Sequence, residues 1–135
     1  MATSSKRLRQ AAALPLRGKK VCLVTSSNGK RQVIPKGLIE PGHSAAETAL
    51  LEAWEEAGLL GVLAPEPLGS YLYHKLGRNY HVTVYVLNVT EAAEDWPEKN
   101  RRQRAWVDVE LALEQLDDPG LRKLVSQVNG VSQPP

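Results

Sequence analysis

The sequence predicts one α/β domain, a sandwich in which a mixed β-sheet packs against helices. Its 135 residues, 42% of them hydrophobic, suffice for one core and are too few for two comfortable domains. Short apolar runs with the alternation of β-strands lie before and after a helical segment, and further helical segments follow near the C-terminus. Strands wrapped around helices in this way are typical of an α/β sandwich.

The first part of the chain predicts three strands. Residues 10–16 form an opening strand, and Pro15 places it towards a sheet edge because proline cannot donate a ladder hydrogen bond. Residues 21–25 and 31–34 form a hairpin, since an Asn-Gly pair in the segment between them favours a tight turn.

A helix follows a loop that starts at Pro35. Ser44 and Glu47 have the spacing of a capping box, in which each side chain bonds the backbone of the other residue, so we expect the helix to begin there. It runs to Ala57, and Gly58 ends it. The later elements are a hairpin of residues 68–76 and 80–89 joined through 77–79, a polar connection over 91–103, a strand over 104–109, and helices over 110–116 and 119–128.

Composition excludes several classes of protein. No apolar run approaches the roughly 18 residues that cross a bilayer, and the N-terminus lacks the apolar region of a secretory signal. Cys22 is the only cysteine, so neither an intramolecular disulfide nor a zinc cage is expected. We therefore expect a cytoplasmic protein with no membrane partner. The acid-free start also has the composition of a mitochondrial presequence, but its Ala-Leu run is better explained as the first strand.

Charge is divided unevenly along the chain. Residues 1–39 contain nine Lys or Arg and no acidic residue, whereas residues 40–135 contain eight basic and fifteen acidic residues. The two parts therefore carry net charges of +9 and −7. Such a division suits an anionic ligand on the basic part and a cation on the acidic part. The alternative is a basic tail with an ordinary solvated surface.

Three glutamates crowd the end of the predicted helix. Glu52 and Glu56 are one turn apart, and Glu55 lies about 60° around the axis from Glu52, so all three carboxylates project from one flank. Hard cations such as Mg²⁺ or Mn²⁺ prefer oxygen ligands of this kind. The cluster therefore predicts a divalent-metal site, with a solvated acidic helix face as the alternative.

Two segments flank or carry these glutamates, Lys36–Gly42 before the helix and Glu52–Leu59 at its end. Together they resemble the Nudix box, the loop–helix–loop signature of Nudix hydrolases. The residues in register with that box are Gly37, Glu52, Ala53, Glu55, Glu56, Gly58 and Leu59. Two positions depart from it, because His43 replaces the first Glu and Leu51 replaces an Arg that orients the carboxylates in the family. Both partners of an ion pair are thus changed together, which leaves no lone charge.

The resemblance implies a Nudix-type α/β/α sandwich over residues 10–128, with a basic flexible N-terminus at 1–9 and a polar tail at 129–135. It also implies a metal-dependent hydrolase that cleaves a diphosphate linkage, with one of the glutamates or an acid outside the box accepting the proton of water. The residues expected to act are Glu52, Glu55 and Glu56 in catalysis, the same three with Gly37 in binding Mg²⁺ or Mn²⁺, and Lys36, Arg31, Arg17 and Lys19 in binding substrate phosphates.

Further segments resemble the branch of the family that includes diphosphoinositol polyphosphate and diadenosine polyphosphate hydrolases. They are residues 31–37, the strand at 80–89, Trp96-Pro97-Glu98 and Arg104–Val107. The expected partner is therefore a small phosphorylated molecule, and a homodimer is left open. One alternative is a catalytically weakened module that binds a phosphorylated metabolite. Another is a pyrophosphohydrolase of RNA 5′ ends, but no aromatic RNA-binding motif interleaves the basic residues, so nucleic acid is not the favoured partner.

Overall fold

The computed structural model describes residues 7–131, and side chains over residues 7–128. Residues 1–6 and 132–135 of the two predicted terminal segments lie outside these described residues. The described elements, in chain order, are β1 (Arg7–Arg17), β2 (Lys20–Thr25), β3 (Gln32–Val33), β4 (Lys36–Leu38), α1 (Ala45–Ala57), β5 (Leu59–Leu63), β6 (Gly69–Lys75), β7 (Arg78–Ala92), β8 (Arg104–Asp108), α2 (Val109–Gln115) and α3 (Pro119–Val131).

The strands form one mixed sheet, as predicted. Its main order is β3-β2-β1-β7-β5, and β4, β6 and β8 add to β1, β7 and β2 respectively. The long pair of β1 and β7 is parallel, whereas every other pair is antiparallel. The longest described helices have 13 residues, fewer than the roughly 20 that a bilayer crossing needs.

Strand alternation divides the core into two layers, one on each face of the sheet. Ala11 and Ala13 of β1 pack with the alanines of α1, whereas Ala12 and Leu14 pack with α2 and α3 on the opposite face. Successive side chains of a strand point to opposite faces, so one apolar run serves both layers. The fold is therefore the α/β/α sandwich expected from the sequence.

The expectation that β1 lies towards a sheet edge is wrong, because β1 is central and has partners on both sides. The reason lies in the direction of the Pro15 nitrogen. The N–H of Ala13 donates to the carbonyl of Pro35 at 3.0 Å, and residues two apart in a strand face the same neighbour. Pro15 thus faces the side of β1 on which β4 and β2 pair. The register with β4 ends at Ala12 and the register with β2 begins at Leu16, so Pro15 lies in the gap between them and its missing N–H breaks no ladder bond.

The structure contains two short strands that the pattern did not predict, β4 and β5. Both follow residues that normally end elements, Pro35 before β4 and Gly58 before β5. The second hairpin also turns one residue earlier than predicted. Its positive backbone φ angles belong to Leu76 (53°) and Gly77 (77°), which suits a two-residue turn between Lys75 and Arg78.

Candidate active site

Helix α1 begins with the predicted capping box. The hydroxyl of Ser44 accepts from the N–H of Glu47 at 3.0 Å, and the N–H of Ser44 donates to Glu47 Oε1 at 2.8 Å. Ala49, Ala53 and Ala57 are fully buried against the sheet. The small side chains on this stripe bring the helix close to the strands and turn its glutamates to one flank.

The last four carbonyls of α1 all find donors, three of which come from outside the helix. Helix ends otherwise leave such carbonyls unpaired. The carbonyl of Trp54 accepts from Gly58 N–H (2.9 Å), that of Glu55 from Glu98 N–H (3.0 Å), that of Glu56 from the Trp96 indole (3.0 Å), and that of Ala57 from Arg104 Nη1 (2.7 Å). The connection between β7 and β8, together with the first residue of β8, therefore holds the glutamate-bearing end of the helix in place.

Glu52 lies directly against the backbone of β4. A Cβ atom placed on Gly37 would lie 2.5 Å from Glu52 Cδ and 2.5 Å from Glu52 Oε2, which is closer than real Cβ contacts come. Only glycine at this position leaves room for the carboxylate as it stands. The structure thus brings together two of the predicted metal-binding residues, Gly37 and Glu52.

Glu56, which is buried, forms a pair with the half-buried Glu52. Their side chains are hydrogen bonded to each other, and Glu56 is 6% exposed. Burial raises the pKa of Glu56 to about 8, helped by this hydrogen bond and opposed by the charge of Arg102. Burial likewise raises the pKa of Glu52. Both shifts favour the neutral form of the carboxyl groups, because burial disfavours two neighbouring negative charges.

Arg102 is the cation beside this pair. Its Nη2 lies 3.7 Å from Glu56 Oε2, its Nε donates to Glu98 Oε1 at 2.9 Å, and its Nη1 donates to the carbonyl of Thr25 at 2.8 Å. Three nitrogens thus point to three partners, each from a different part of the chain. The guanidinium joins α1, β2 and the β7–β8 connection around the carboxylates.

Glu55 stands outside the hydrogen-bonded pair. Its side chain is half-buried, and its charge acts on Glu52 to raise the pKa of that residue further. Over the described side chains, no three carboxylate, His or Cys groups converge as they stand into a set able to hold a metal ion. The donor set nevertheless suits a divalent cation, because carboxylate oxygens are its preferred ligands and a cation would supply positive charge beside them.

Two of the predicted substrate-binding residues, Arg31 and Lys36, line one cleft with Tyr71 and Tyr73. The Lys36 ammonium lies 5.3 Å from the centre of the Tyr73 ring. Burial lowers the pKa of Lys36, while the charge of Glu56 acts in the opposite direction. Lys36 precedes Gly37 in β4, and Gly37 lies against the Glu52 carboxylate, so this strand connects the cleft with the carboxylate pair. Asp117 and Asp118 also line this cleft, and Arg31 Nη1 lies 3.9 Å from Asp117 Oδ2, so the cleft carries charges of both signs.

The structure places the other two, Arg17 and Lys19, away from this cleft. The Arg17 guanidinium stacks on the ring of Trp106 at 5.1 Å from its centre, and Lys19 is exposed in the turn between β1 and β2. Neither is among the described residues that line the cleft with Lys36.

Sequence reasoning missed several residues that shape the site. Glu98 and Arg104 were visible only as part of a family resemblance, without a role, and the bond of the Trp96 indole to α1 was not predicted. Arg102 stands in an Arg-Arg pair within a polar stretch, which looks like ordinary solvated surface in the sequence. The signal that could have found them is the excess of negative charge at the end of α1, which requires donors and cations from another part of the chain.

Comparisons with known proteins agree with this architecture. The family model of the NUDIX domain matches residues 6–128. Nudix hydrolase 12, mitochondrial, of Arabidopsis thaliana is 37% identical over 102 residues, covering 70% of this chain and 50% of that protein. Diphosphoinositol polyphosphate phosphohydrolase 3-beta of Bos taurus is 37% identical over 114 residues, covering 80% and 68%.

A solved structure shows the same fold. The crystal structure of a C. elegans Ap4A hydrolase binary complex superimposes with a TM-score of 0.77 at 20% identity, over 92% of this chain and 96% of that one. The chain spans about half the length of the Arabidopsis relatives named Nudix hydrolase 12 and 13. The family match over nearly the whole chain and the shared fold lead to one conclusion: this chain belongs to the NUDIX domain family.

Proposed function

We propose that this chain is a hydrolase that uses Mg²⁺ or Mn²⁺ to cleave a diphosphate linkage in a small phosphorylated molecule. The observation that carries the proposal is the buried carboxyl pair of Glu52 and Glu56 beside a cleft that contains Lys36 and Arg31. Glu56, which would bind the divalent cation, is thus close enough to interact electrostatically with Lys36, which would bind phosphate. This is the combination that attack of water on a diphosphate requires.

The metal would be held by Glu52 and Glu56, with Glu55 and Gly37 as the further predicted members of the site. A bound divalent cation supplies charge neutralisation at the phosphate oxygens and a more acidic water. The chain's own residues position the carboxylates and accept the proton. Gly37 and the donors around the end of α1 hold the carboxylates in position. One of the three glutamates accepts the proton of the attacking water.

The substrate is proposed to carry more than one phosphate group beyond the scissile bond. Two proteins with related sequences or structures are named for such compounds, the diphosphoinositol polyphosphate phosphohydrolase of Bos taurus and the C. elegans Ap4A hydrolase. Support in this chain comes from the side chains of Arg31 and Lys36, which line the cleft as possible partners for phosphate oxygens beside Asp117 and Asp118. Charge-assisted contacts to phosphate oxygens are short and strong, so each cation adds selectivity for highly charged substrates.

Replacing Lys36 tests this assignment. Each lost charge-assisted contact is worth roughly 1.5–3 kcal/mol, so Lys36→Ala should raise KM for a polyphosphorylated substrate by about tenfold to a hundredfold. A simple sugar diphosphate should be affected less. Lys19→Ala is the matched control, because Lys19 is exposed in a turn outside the cleft. An equal rise in KM for both substrates would place Lys36 at the scissile diphosphate instead.

A second candidate function is binding without cleavage. It is favoured by the two departures from the family signature, since His43 and Leu51 are both exposed and supply no orienting ion pair. Phosphate release from a panel of diphosphates, with Mg²⁺ and with EDTA, separates the two candidates. Saturable ligand binding with no metal-dependent release in any member of the panel would favour the binding module.

Metal binding is tested independently of turnover. Mn²⁺ titration followed by calorimetry should show saturable binding that is lost in the double variant Glu52→Gln with Glu56→Gln. Glu110→Gln with Glu114→Gln is a matched control, because it removes two exposed carboxylates at the same spacing on α2. Equal affinity in the wild type and the Glu52 and Glu56 variant would contradict the proposed metal site.

We also propose a cytoplasmic location and leave a homodimer as a prediction. The Arabidopsis relative is named as mitochondrial, so a fluorescent fusion scored against a mitochondrial marker is the relevant test. Sedimentation equilibrium of the purified chain decides between a monomer and a homodimer.

A further inference from the structure

We infer that Arg102 is the positioning residue of this site, and that it draws the Glu56 carboxylate into place from the β7–β8 connection. The inference rests on the proposed metal-dependent function. It concerns a residue that is not part of the helix or of the loop before it. The contacts of Arg102 carry the argument, because they anchor the guanidinium at two points and aim its remaining nitrogen at Glu56.

The first step is that Arg102 cannot swing away from Glu56 without losing other bonds. Its Nε is bonded to Glu98 and its Nη1 to the carbonyl of Thr25, at 2.9 and 2.8 Å. A planar guanidinium with two nitrogens anchored has a defined direction for the third. That third nitrogen, Nη2, is the one that lies 3.7 Å from Glu56 Oε2.

The second step is burial. The side chains of Arg102 and Glu56 are 12% and 8% exposed, so water screens their attraction poorly. The neighbouring Arg101 makes a useful contrast. Its side chain is 67% exposed, and the ion pair found for it is with Glu98 at 3.5 Å. Two adjacent arginines thus contact the same Glu98, and Arg102 is the one that reaches the carboxylate pair.

The third step concerns the position where the family signature has an arginine. Leu51 occupies it, and Leu51 is 40% exposed on α1. His43, at the other departing position, is exposed as well. Neither residue can position the carboxylates by charge pairing on that surface. In the described chain, the ion pair that Glu56 makes is with Arg102, so the orienting cation comes from a different element of the fold.

The sign of the effect on metal affinity separates positioning from simple charge. Removing a positive charge near a cation site strengthens cation binding if charge alone matters. Removing a residue that holds a ligand in place weakens it, and the loss of such a supporting partner typically costs 10–100-fold in metal affinity. We therefore expect Arg102→Ala to weaken Mn²⁺ binding by about tenfold or more.

The experiment compares Mn²⁺ affinity by calorimetry in the wild type, Arg102→Ala, Arg102→Lys and Arg101→Ala. The Mn²⁺ affinity of Arg101→Ala should stay within about twofold of the wild type. Arg102→Lys should bind Mn²⁺ more weakly than the wild type and more tightly than Arg102→Ala, because lysine keeps the charge but cannot make three directed contacts. Circular dichroism and urea unfolding identify any variant that does not fold. Should Arg102→Ala be unfolded, Arg102→Lys and Arg101→Ala still carry the comparison.

These measurements distinguish failure of the positioning role from failure of the proposed function. A wild type that binds no Mn²⁺ contradicts the proposed metal site itself. A wild type that binds Mn²⁺, with equal or tighter binding by folded Arg102→Ala, overturns the positioning role alone. If Arg102→Ala is unfolded, Arg102→Lys binding as tightly as Arg101→Ala overturns it.

Discussion

The replacement Glu56→Gln should stabilise the protein in the absence of metal, although it removes a residue proposed for catalysis. In the folded protein burial raises the pKa of Glu56 from an ordinary value of 4.5 to about 8. Between these two values the folded state holds a proton that the unfolded state has released. Stability therefore falls as pH rises from 4.5 to 8 and becomes independent of this group above 8.

The magnitude follows from the size of that window. Each pH unit between the two pKa values costs about 1.4 kcal/mol, so at pH 7 the wild type loses about 3 kcal/mol relative to its stability near pH 4.5. Gln fills nearly the same volume and does not ionise. Glu56→Gln should lack this slope, and the difference in unfolding free energy between variant and wild type should grow with pH.

The assay is urea unfolding at pH 5, 6, 7 and 8 in the presence of EDTA. Titrating groups outside the Glu52 and Glu56 pair are common to both proteins, so the wild type minus variant difference reports on that pair. Glu55→Gln is the control, because it makes the same chemical change at a half-buried position outside the bonded pair. Parallel stability curves for the wild type and Glu56→Gln would refute the reasoning. Mn²⁺ at 1,000 times its Kd should reverse the order at pH 7, since a ligand at that concentration stabilises the wild type by about 4.1 kcal/mol.

The other predictions concern the support of the site. Gly37→Ala should reduce Mn²⁺ affinity at least tenfold by displacing the Glu52 carboxylate, with little change in the circular dichroism spectrum; unchanged affinity would show that the carboxylate relocates freely. Arg104→Gln should cost about 2–3 kcal/mol in urea unfolding, because the guanidinium caps the end of α1 and stacks on an indole, and a smaller loss would mean that water replaces it. His43→Glu combined with Leu51→Arg should leave kcat within about twofold of the wild type, since both positions are exposed; a clear gain would show that orientation limits the present site.

Local rules were sufficient where a residue's partners lie within a few positions of it. The capping box of Ser44 and Glu47 and the left-handed Gly58 at φ 67° both stand where the sequence predicts. Their partners are backbone groups of the same helix, so the pattern contains all the necessary information.

Local rules failed where the partner comes from a distant element. The three residues of β4 form a strand because β1 lies alongside them. No property of Lys36–Leu38 alone predicts this pairing. Pro15 is a similar case, since its effect depends on which side of β1 the missing N–H would face. Arg102 is another, because its partners are 4, 46 and 77 positions away along the chain.

The end of α1 explains why the site needs those distant partners. A helix C-terminus carries partial negative charge, and this helix places three glutamates near it with no basic residue in its last turn. Such an arrangement is unfavourable unless positive charge and N–H donors arrive from outside. Arg104 supplies them at the carbonyls and Arg102 at the carboxylates, both from the segment that follows β7. The pKa values of Glu52 and Glu56 are raised despite these partners, so the two carboxyl groups still lack positive charge around them, and a divalent cation would supply it.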